Sequence, residues 1–309
     1  FTRFLWEVED FTQFRPIAKG GSDAWILPRI SETVDWEAEG RVLKRSSKSL
    51  RIRNENLYGR EGVAWTRIKE TGRRFGYYSG GMFSDTGNMV IPRGDLSVWK
   101  LMPALNSSLY HGLFLSQTTE RHLNAGEVGS VPWLESIESI DELSEISKTQ
   151  HRLMLQERQN TPTSPYYTKP EILPGSGQQE FFYRHPHTDS IELPDRSAES
   201  RRIEQQDKIT VAARRSEQST LYREHQLETL SQKVDNLVYG ELEIDPDVQK
   251  QIQTEIYLRT SESPEDREVP DPESVPEVPD NLNEQVKDLV HHLAMEAVRE
   301  ESDGIIPFD

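Results

Sequence analysis

Cysteine is absent from all 309 residues, which excludes disulfides, zinc–thiolate centres and thiol nucleophiles. Long apolar runs are missing as well. No stretch approaches the roughly eighteen consecutive apolar residues that a membrane-spanning helix needs, and no signal-peptide pattern opens the chain. The sequence therefore reads as a soluble, cytoplasmic protein with no membrane partner. Position 1 is Phe1 rather than methionine, so the reading expects a piece of a longer polypeptide. Tryptophan is missing after Trp133: all six lie between Trp6 and Trp133. The large apolar groups that build a stable core are thus concentrated in the first half.

Charge divides the chain at the same place. Residues 1–140 hold 18 Lys+Arg against 17 Asp+Glu, a net +1, whereas residues 141–309 hold 18 against 36, a net −18, together the −17 of the whole. Within the first half, residues 41–74 carry eleven cations against three glutamates. The cations are Arg41, Lys44, Arg45, Lys48, Arg51, Arg53, Arg60, Arg67, Lys69, Arg73 and Arg74, interleaved with Tyr58, Trp65, Phe75, Tyr77 and Tyr78. A basic stripe on an acidic chain is the electrostatic footprint of a phosphate-binding face. Arginine can grip guanine with two hydrogen bonds, while the other cations set register on phosphates.

The pattern of residues predicts an α+β fold: a mixed strand and helix domain followed by an extended, mainly helical, acidic C-terminal region. Over residues 1–135, short apolar runs broken by Gly and Pro indicate strands and turns. Leu96 to about Leu115 reads as a helix kinked at Pro103. Residues 136–159 form a helical connector leading away from that domain, and 160–198, rich in Pro, Gly and Thr, an exposed loop. A helical region follows at 199–260, with Leu227, Leu230, Val234 and Leu237 on one stripe. Five prolines among acids mark 261–280 as a linker that buries no core. A C-terminal helix and tail occupy 281–309, with Leu282, Val286, Leu289, Leu293 and Ala297 on one side.

One ordered set of short motifs carries more information than composition. Tyr58-Gly-Arg-Glu-Gly-Val-Ala-Trp65-Thr66 is followed by Phe75-Gly-Tyr-Tyr, by Phe83-Ser-Asp-Thr-Gly87 and by Ile91-Pro92. Upstream stand Lys19-Gly20-Gly21 and Trp36 with Gly40; downstream stand Leu105-Asn106-Ser107-Ser108-Leu109, Leu123-Asn124-Ala125-Gly126, and much later Val234-Asp235-Asn236-Leu237-Val238-Tyr239. This order resembles the target-recognition region of large adenine-specific DNA methyltransferases, the phage-exclusion (BREX) PglX-like enzymes and their single-chain restriction-modification relatives. The resemblance covers roughly residues 1–135 and 225–258. It implies double-stranded DNA as a partner, met by Lys19 and the eleven cations of the stripe, and Trp36, Trp65, Thr66, Gly87 and Asn106 as structural positions of the motif. It also implies an upstream catalytic domain that uses S-adenosylmethionine, and other phage-defence proteins as partners of the whole enzyme.

No catalytic group is expected in this chain. The Asn/Asp-Pro-Pro-Tyr/Phe motif that holds a flipped adenine in that family has no counterpart. Ser164-Pro165-Tyr166-Tyr167 has a single proline with neither amide nor acid before it, and Gly175-Ser-Gly177 follows no strand. No cofactor is expected for this chain by itself. His185-Pro-His187 with Asp189 lacks a third imidazole for a metal site, and Pro194-Asp195 with Glu199-Ser200-Arg201 is too short and lacks the lysine of a nuclease pattern. A rival reading makes the chain a non-catalytic protein-interaction module whose acidic helices bind a partner.

Overall fold

The computed structural model describes residues 2–8, 11–19, 24–46, 52–68, 72–84, 87–118, 122–173, 209–260 and 271–300. The fold is α+β, and among the described residues its strands all lie before residue 91. Two sheets share them. In the first, β1 (Thr2–Phe4) and β2 (Phe14–Ala18) run antiparallel to a central β3 (Glu32–Asp35), and β6 (Met82–Phe83) joins β2 in parallel. In the second, β4 (Gly62–Thr66) lies between β5 (Phe75–Tyr78) and β7 (Gly87–Val90), antiparallel to both. Every residue of β4 is buried, as the centre of a sheet covered on both faces requires.

Gly87 sits where the two sheets meet. A Cβ on it would stand 2.1 Å from the Ala18 carbonyl oxygen, so the crossing of β7 over β2 admits no side chain there. Tyr78 joins the sheets from the other direction. Its fully buried ring is anchored by a hydroxyl that donates to the Pro16 and Met82 carbonyls at 3.3 and 3.1 Å, and burial pushes the phenol far above its usual range.

Helices cover the three-stranded sheet. After α1 (Glu37–Ser46), treated below, α2 (Val98–Leu105) buries Val98, Leu101, Met102 and Leu105, spaced for one face. The helix expected over 96–115 is two helices, and the break falls at Asn106 and Ser107 rather than at Pro103. Ser107 caps α3 (Ser108–Gln117) by accepting from the Tyr110 N–H, while the Asn106 side chain leaves the helix to bond β5. A short α4 (Ala125–Ser130) follows, then α5 (Glu142–Arg158), α6 (Ile209–Glu241), α7 (Pro246–Thr260) and α8 (Leu282–Glu300).

These later helices are not appendages. Ile26, Trp65, Phe75, Leu101, Phe114, Leu143, Leu155, Leu227, Val234 and Tyr239 belong to one continuous hydrophobic cluster, so the core runs across the expected boundary at residue 135. α5 packs between α2 and α6 and does not lead away from the domain. The loop expected to be exposed from residue 160 is buried over 164–170, with Tyr166 and Tyr167 wholly inaccessible. Its Pro and Thr content set the turns, but the aromatic rings decided burial. In the expected linker, residues 271–280 contain no helix, yet Val275 is buried. α8 docks through His292, whose Nδ1 lies 2.9 Å from the Tyr167 hydroxyl, and through Gln285, which donates to the Ala213 carbonyl. Of the residues expected on one side of this helix, Leu293 is turned outward at 56% exposure. No described helix is long and apolar enough to cross a membrane.

Candidate nucleic-acid interface

The sequence places Asp35-Trp36-Glu-Ala-Glu-Gly40 between β3 and a run of cations, and the backbone there takes an unusual path. Ala38, Glu39 and Gly40 all have positive φ (47°, 60° and 70°), a left-handed turn before the right-handed part of α1. Asp35 Oδ1 accepts from the Glu37 N–H at 3.1 Å, and the Gly40 N–H donates to the Trp36 carbonyl at 3.3 Å. The Trp36 indole lies across Gly40 so closely that a Cβ would be 2.7 Å from the ring. Glycine is therefore required at 40 twice over, by φ and by the ring.

Beyond this turn, Arg41 and Arg45 are exposed and four residues apart, which puts them on one side of a helix. Lys44 is held differently. Its ammonium lies 5.3 Å from the centroid of the Trp36 ring and pairs with Glu55. Tyr58 meets Trp36 edge-on at 5.5 Å and Phe83 edge-on at 5.2 Å. Three half-buried rings thus tie the end of β3, the 55–58 turn and β6 into one block, beside which Arg53 and Arg60 stand exposed. Burial and the nearby Glu55 raise the Tyr58 phenol, so it stays neutral.

The structure divides the predicted stripe. Arg41, Arg45, Arg53 and Arg60 are exposed cations; Lys19 is exposed and paired with Glu32, and Arg67 is half-buried. Lys48, Arg51 and Lys69 lie outside the described residues. Arg73 and Arg74 correct the expectation. Arg73 points inward, bonding Glu228 of α6 at 2.9 Å with Asp235 at 3.9 Å and the Trp25 ring at 5.7 Å. Arg74 is 8% exposed, and burial lowers its pKa. Neither presents its charge to the surface: both immediately precede the core strand β5, Arg74 is buried, and Arg73 reaches the acids of α6.

The motif residues prove to be joints. Trp65 is core, with its indole N–H donating to the Leu123 carbonyl at 2.9 Å, and Thr66 is buried beside it. Asn106 bridges α2 to β5: its Oδ1 accepts from the Phe75 N–H at 3.1 Å and its Nδ2 donates to the Phe75 and Met102 carbonyls at 2.8 and 3.1 Å. Asp235, 127 residues downstream of Ser108, accepts from both the backbone N–H and the hydroxyl of Ser108 at 2.6 Å. Two motifs far apart in the sequence therefore touch, along one wall of a polar cavity of about 230 Å³ that Arg73 and His111 also line. Sequence spacing gives no hint of the Trp36–Tyr58–Phe83 block or of this Ser108–Asp235 joint; both unite segments that only the fold brings together.

Two other features bear on chemistry. An apolar groove of about 560 Å³ runs between Ile91, Leu101, Phe114, Val131 and Trp133. The Tyr110 hydroxyl is engaged by Pro132 and Leu134 and the Trp133 indole by Glu138, while the exposed Arg93 and Asp95 also line the groove. Among the described residues no group of His, Asp and Glu could hold a metal ion.

Comparison with known proteins adds one finding. No protein-family model matches the chain. A 95-residue stretch is 28% identical to the adenine-specific methyltransferase BrxX of Escherichia coli O9:H4 (strain HS), which is 30% of this chain and 8% of that protein. The similarity is to a methyltransferase. Its extent supports a methyltransferase-related chain that matches only a small part of its relative's length.

Proposed function

We propose that this chain is the DNA-recognition portion of an adenine-specific DNA methyltransferase of a phage-defence system of the BREX or restriction-modification type. A catalytic domain elsewhere in the polypeptide performs the methyl transfer. The observation that carries this reading is the set of exposed arginines, Arg41, Arg45, Arg53 and Arg60, beside the Trp36–Tyr58–Phe83 aromatic block in a chain otherwise strongly acidic. The similarity to BrxX supports it independently of charge.

S-adenosylmethionine belongs, in this reading, to the parent enzyme. Among the described residues the Pro-Tyr segment does not suit it: Tyr166 and Tyr167 are sealed in the core and the Tyr167 hydroxyl is committed to His292. The chain alone is expected to transfer no methyl group to DNA.

The deciding experiment is duplex binding as a function of salt. A protein that neutralises phosphates releases condensed counterions, so log affinity falls linearly with log salt. Absence of duplex binding at low salt would favour the interaction-module reading. A specific observation speaks for that rival: α8 exposes Val290 and Leu293, at 61% and 56%, on an acidic helix.

A further inference from the structure

Left-handed backbone is unfavourable for residues with side chains, and single such residues, not runs, are the rule. Ala38, Glu39 and Gly40 form a run of three, so something outside the turn must hold it. The surroundings supply the hold. Asp35 ties down the Glu37 N–H just before the run, the Trp36 carbonyl ties down the Gly40 N–H at its end, and the Trp36 indole covers Gly40. The same indole carries the Lys44 ammonium and is braced edge-on by Tyr58. Lys44 is bonded in turn to Glu55 at the start of the 55–57 turn. Every one of these contacts constrains the direction in which α1 leaves β3, and none uses Arg41 or Arg45. Trp36 and Gly40 also lie outside the main hydrophobic cluster, so the lock is not needed to assemble that core.

We propose that the Asp35–Gly40 turn, locked by the Trp36 indole, is the positioning element of the nucleic-acid face, aiming Arg41 and Arg45 together at the phosphates of one duplex. This rests on the DNA-recognition reading given above. Trp36 and Gly40 act through the arginines and touch no nucleic acid themselves. A flexible linker in their place would leave the same charges on the chain but scatter them.

The test uses the full chain and a short mixed-sequence DNA duplex, with affinity measured across a salt series. Arg41→Ala with Arg45→Ala should make the slope of log affinity against log salt shallower by about 1.8, since each phosphate neutralised contributes about 0.9. Gly40→Ala should reproduce that shallower slope although it removes no charge. It should leave the main thermal transition in place. Combining all three substitutions should be no worse than the arginine pair alone, because residues acting through one another are not additive. Unchanged slope in a folded Gly40→Ala protein, or losses that simply add, overturns the proposal while leaving the DNA reading intact. Should Gly40→Ala fail to fold, Trp36→Leu, which removes the cover and the Lys44 platform, carries the same comparison. An unchanged slope for the arginine pair itself overturns both, and removes α1 from the interface.

Discussion

The molecule uses arginine in two ways, and the two uses are separated in space. On the sheet side, Arg41, Arg45, Arg53 and Arg60 stand exposed around half-buried rings. On the helical side, Arg73, Arg158 and Arg223 are buried or nearly so and each faces a carboxylate: Glu228 for the first, Glu157 for the second, Glu171 for the third. Arg73 belongs by sequence to the basic stripe and by structure to the helical side. The contrast shows that local charge density identifies where cations are abundant but not which of them are available. Availability is set by the acids the fold brings up, from α6 for Arg73 and from the segment after α5 for Arg223. In the second half those acids are in twofold excess, so a cation facing α6 finds a partner.

The sharpest way to break this comparison is to remove a buried pair. Arg223 bonds both carboxylate oxygens of Glu171, at 2.5 and 2.6 Å, with the two side chains 8% and 9% exposed. Arg223→Ala should cost about 3–5 kcal/mol by stranding a buried carboxylate, measured by chemical denaturation, with no direct effect on DNA binding. Replacing both partners with apolar residues should recover most of the loss. A cost within the range of surface substitutions would show that the pair is effectively solvated. Next in size is Asn106→Ala, which leaves the Phe75 N–H buried without its acceptor and should cost about 1–3 kcal/mol. Because Asn106 joins α2 to β5, amide exchange should accelerate at Phe75 before it does in α6.

Much of this was legible in the residues themselves. The motif positions Trp65, Thr66, Gly87 and Asn106 are joints because tryptophan, glycine and a side-chain amide are what close packing, close backbone approach and buried backbone groups demand. The α+β class followed from apolar periodicity. What sequence could not supply was depth. Ser164-Pro-Tyr-Tyr carries turn residues and reads as surface, yet two adjacent aromatics are a large apolar area that the fold buried. The stripe on α6 appeared correctly, but its centre lies at Leu227, Ser231, Val234 and Val238, because small polar Ser231 bonds Gln150 of α5 at 3.1 Å. The inward turn of Arg73 depends on Glu228, 155 residues away, a pairing that no local pattern encodes.

A smaller effect sharpens the comparison from the helical side. Burial raises the pKa of Asp235, opposed by Arg73 and by the two Ser108 hydrogen bonds, and Glu228 adds to the rise. A carboxyl with a raised native pKa binds its proton more tightly folded than unfolded. The native state then carries a penalty that is full above that pKa and is relieved as pH falls through it. Wild-type stability should therefore gain on that of Asp235→Asn as pH is lowered from neutral into the acidic range. His111 lines the same cavity but is present in both proteins, so the difference between the two curves isolates Asp235. A difference that runs the other way would mean that Arg73 and Ser108 outweigh burial.

The smallest effect on stability should belong to the residues that matter most for binding. Arg41, Arg45, Arg53 and Arg60 are exposed, and surface substitutions away from structural joints usually shift stability by no more than about 0.5 kcal/mol each. Replacing all four with alanine should accordingly leave the denaturation midpoint close to wild type. Duplex binding should respond quite differently. If each arginine neutralises one phosphate, the slope of log affinity against log salt should become shallower by about 3.6, at about 0.9 per contact. Arginines that read base edges would depart from this rule, since the loss of one should cost about 1–3 kcal/mol on a cognate site and little on a scrambled one. The matching control is Arg73→Ala, which removes the same charge from the same stretch of sequence but from the helical side. It should lower stability and leave the salt slope of the folded protein unchanged. If instead Arg73→Ala flattened the slope and the fourfold surface variant did not, the division between available and committed arginines would be inverted.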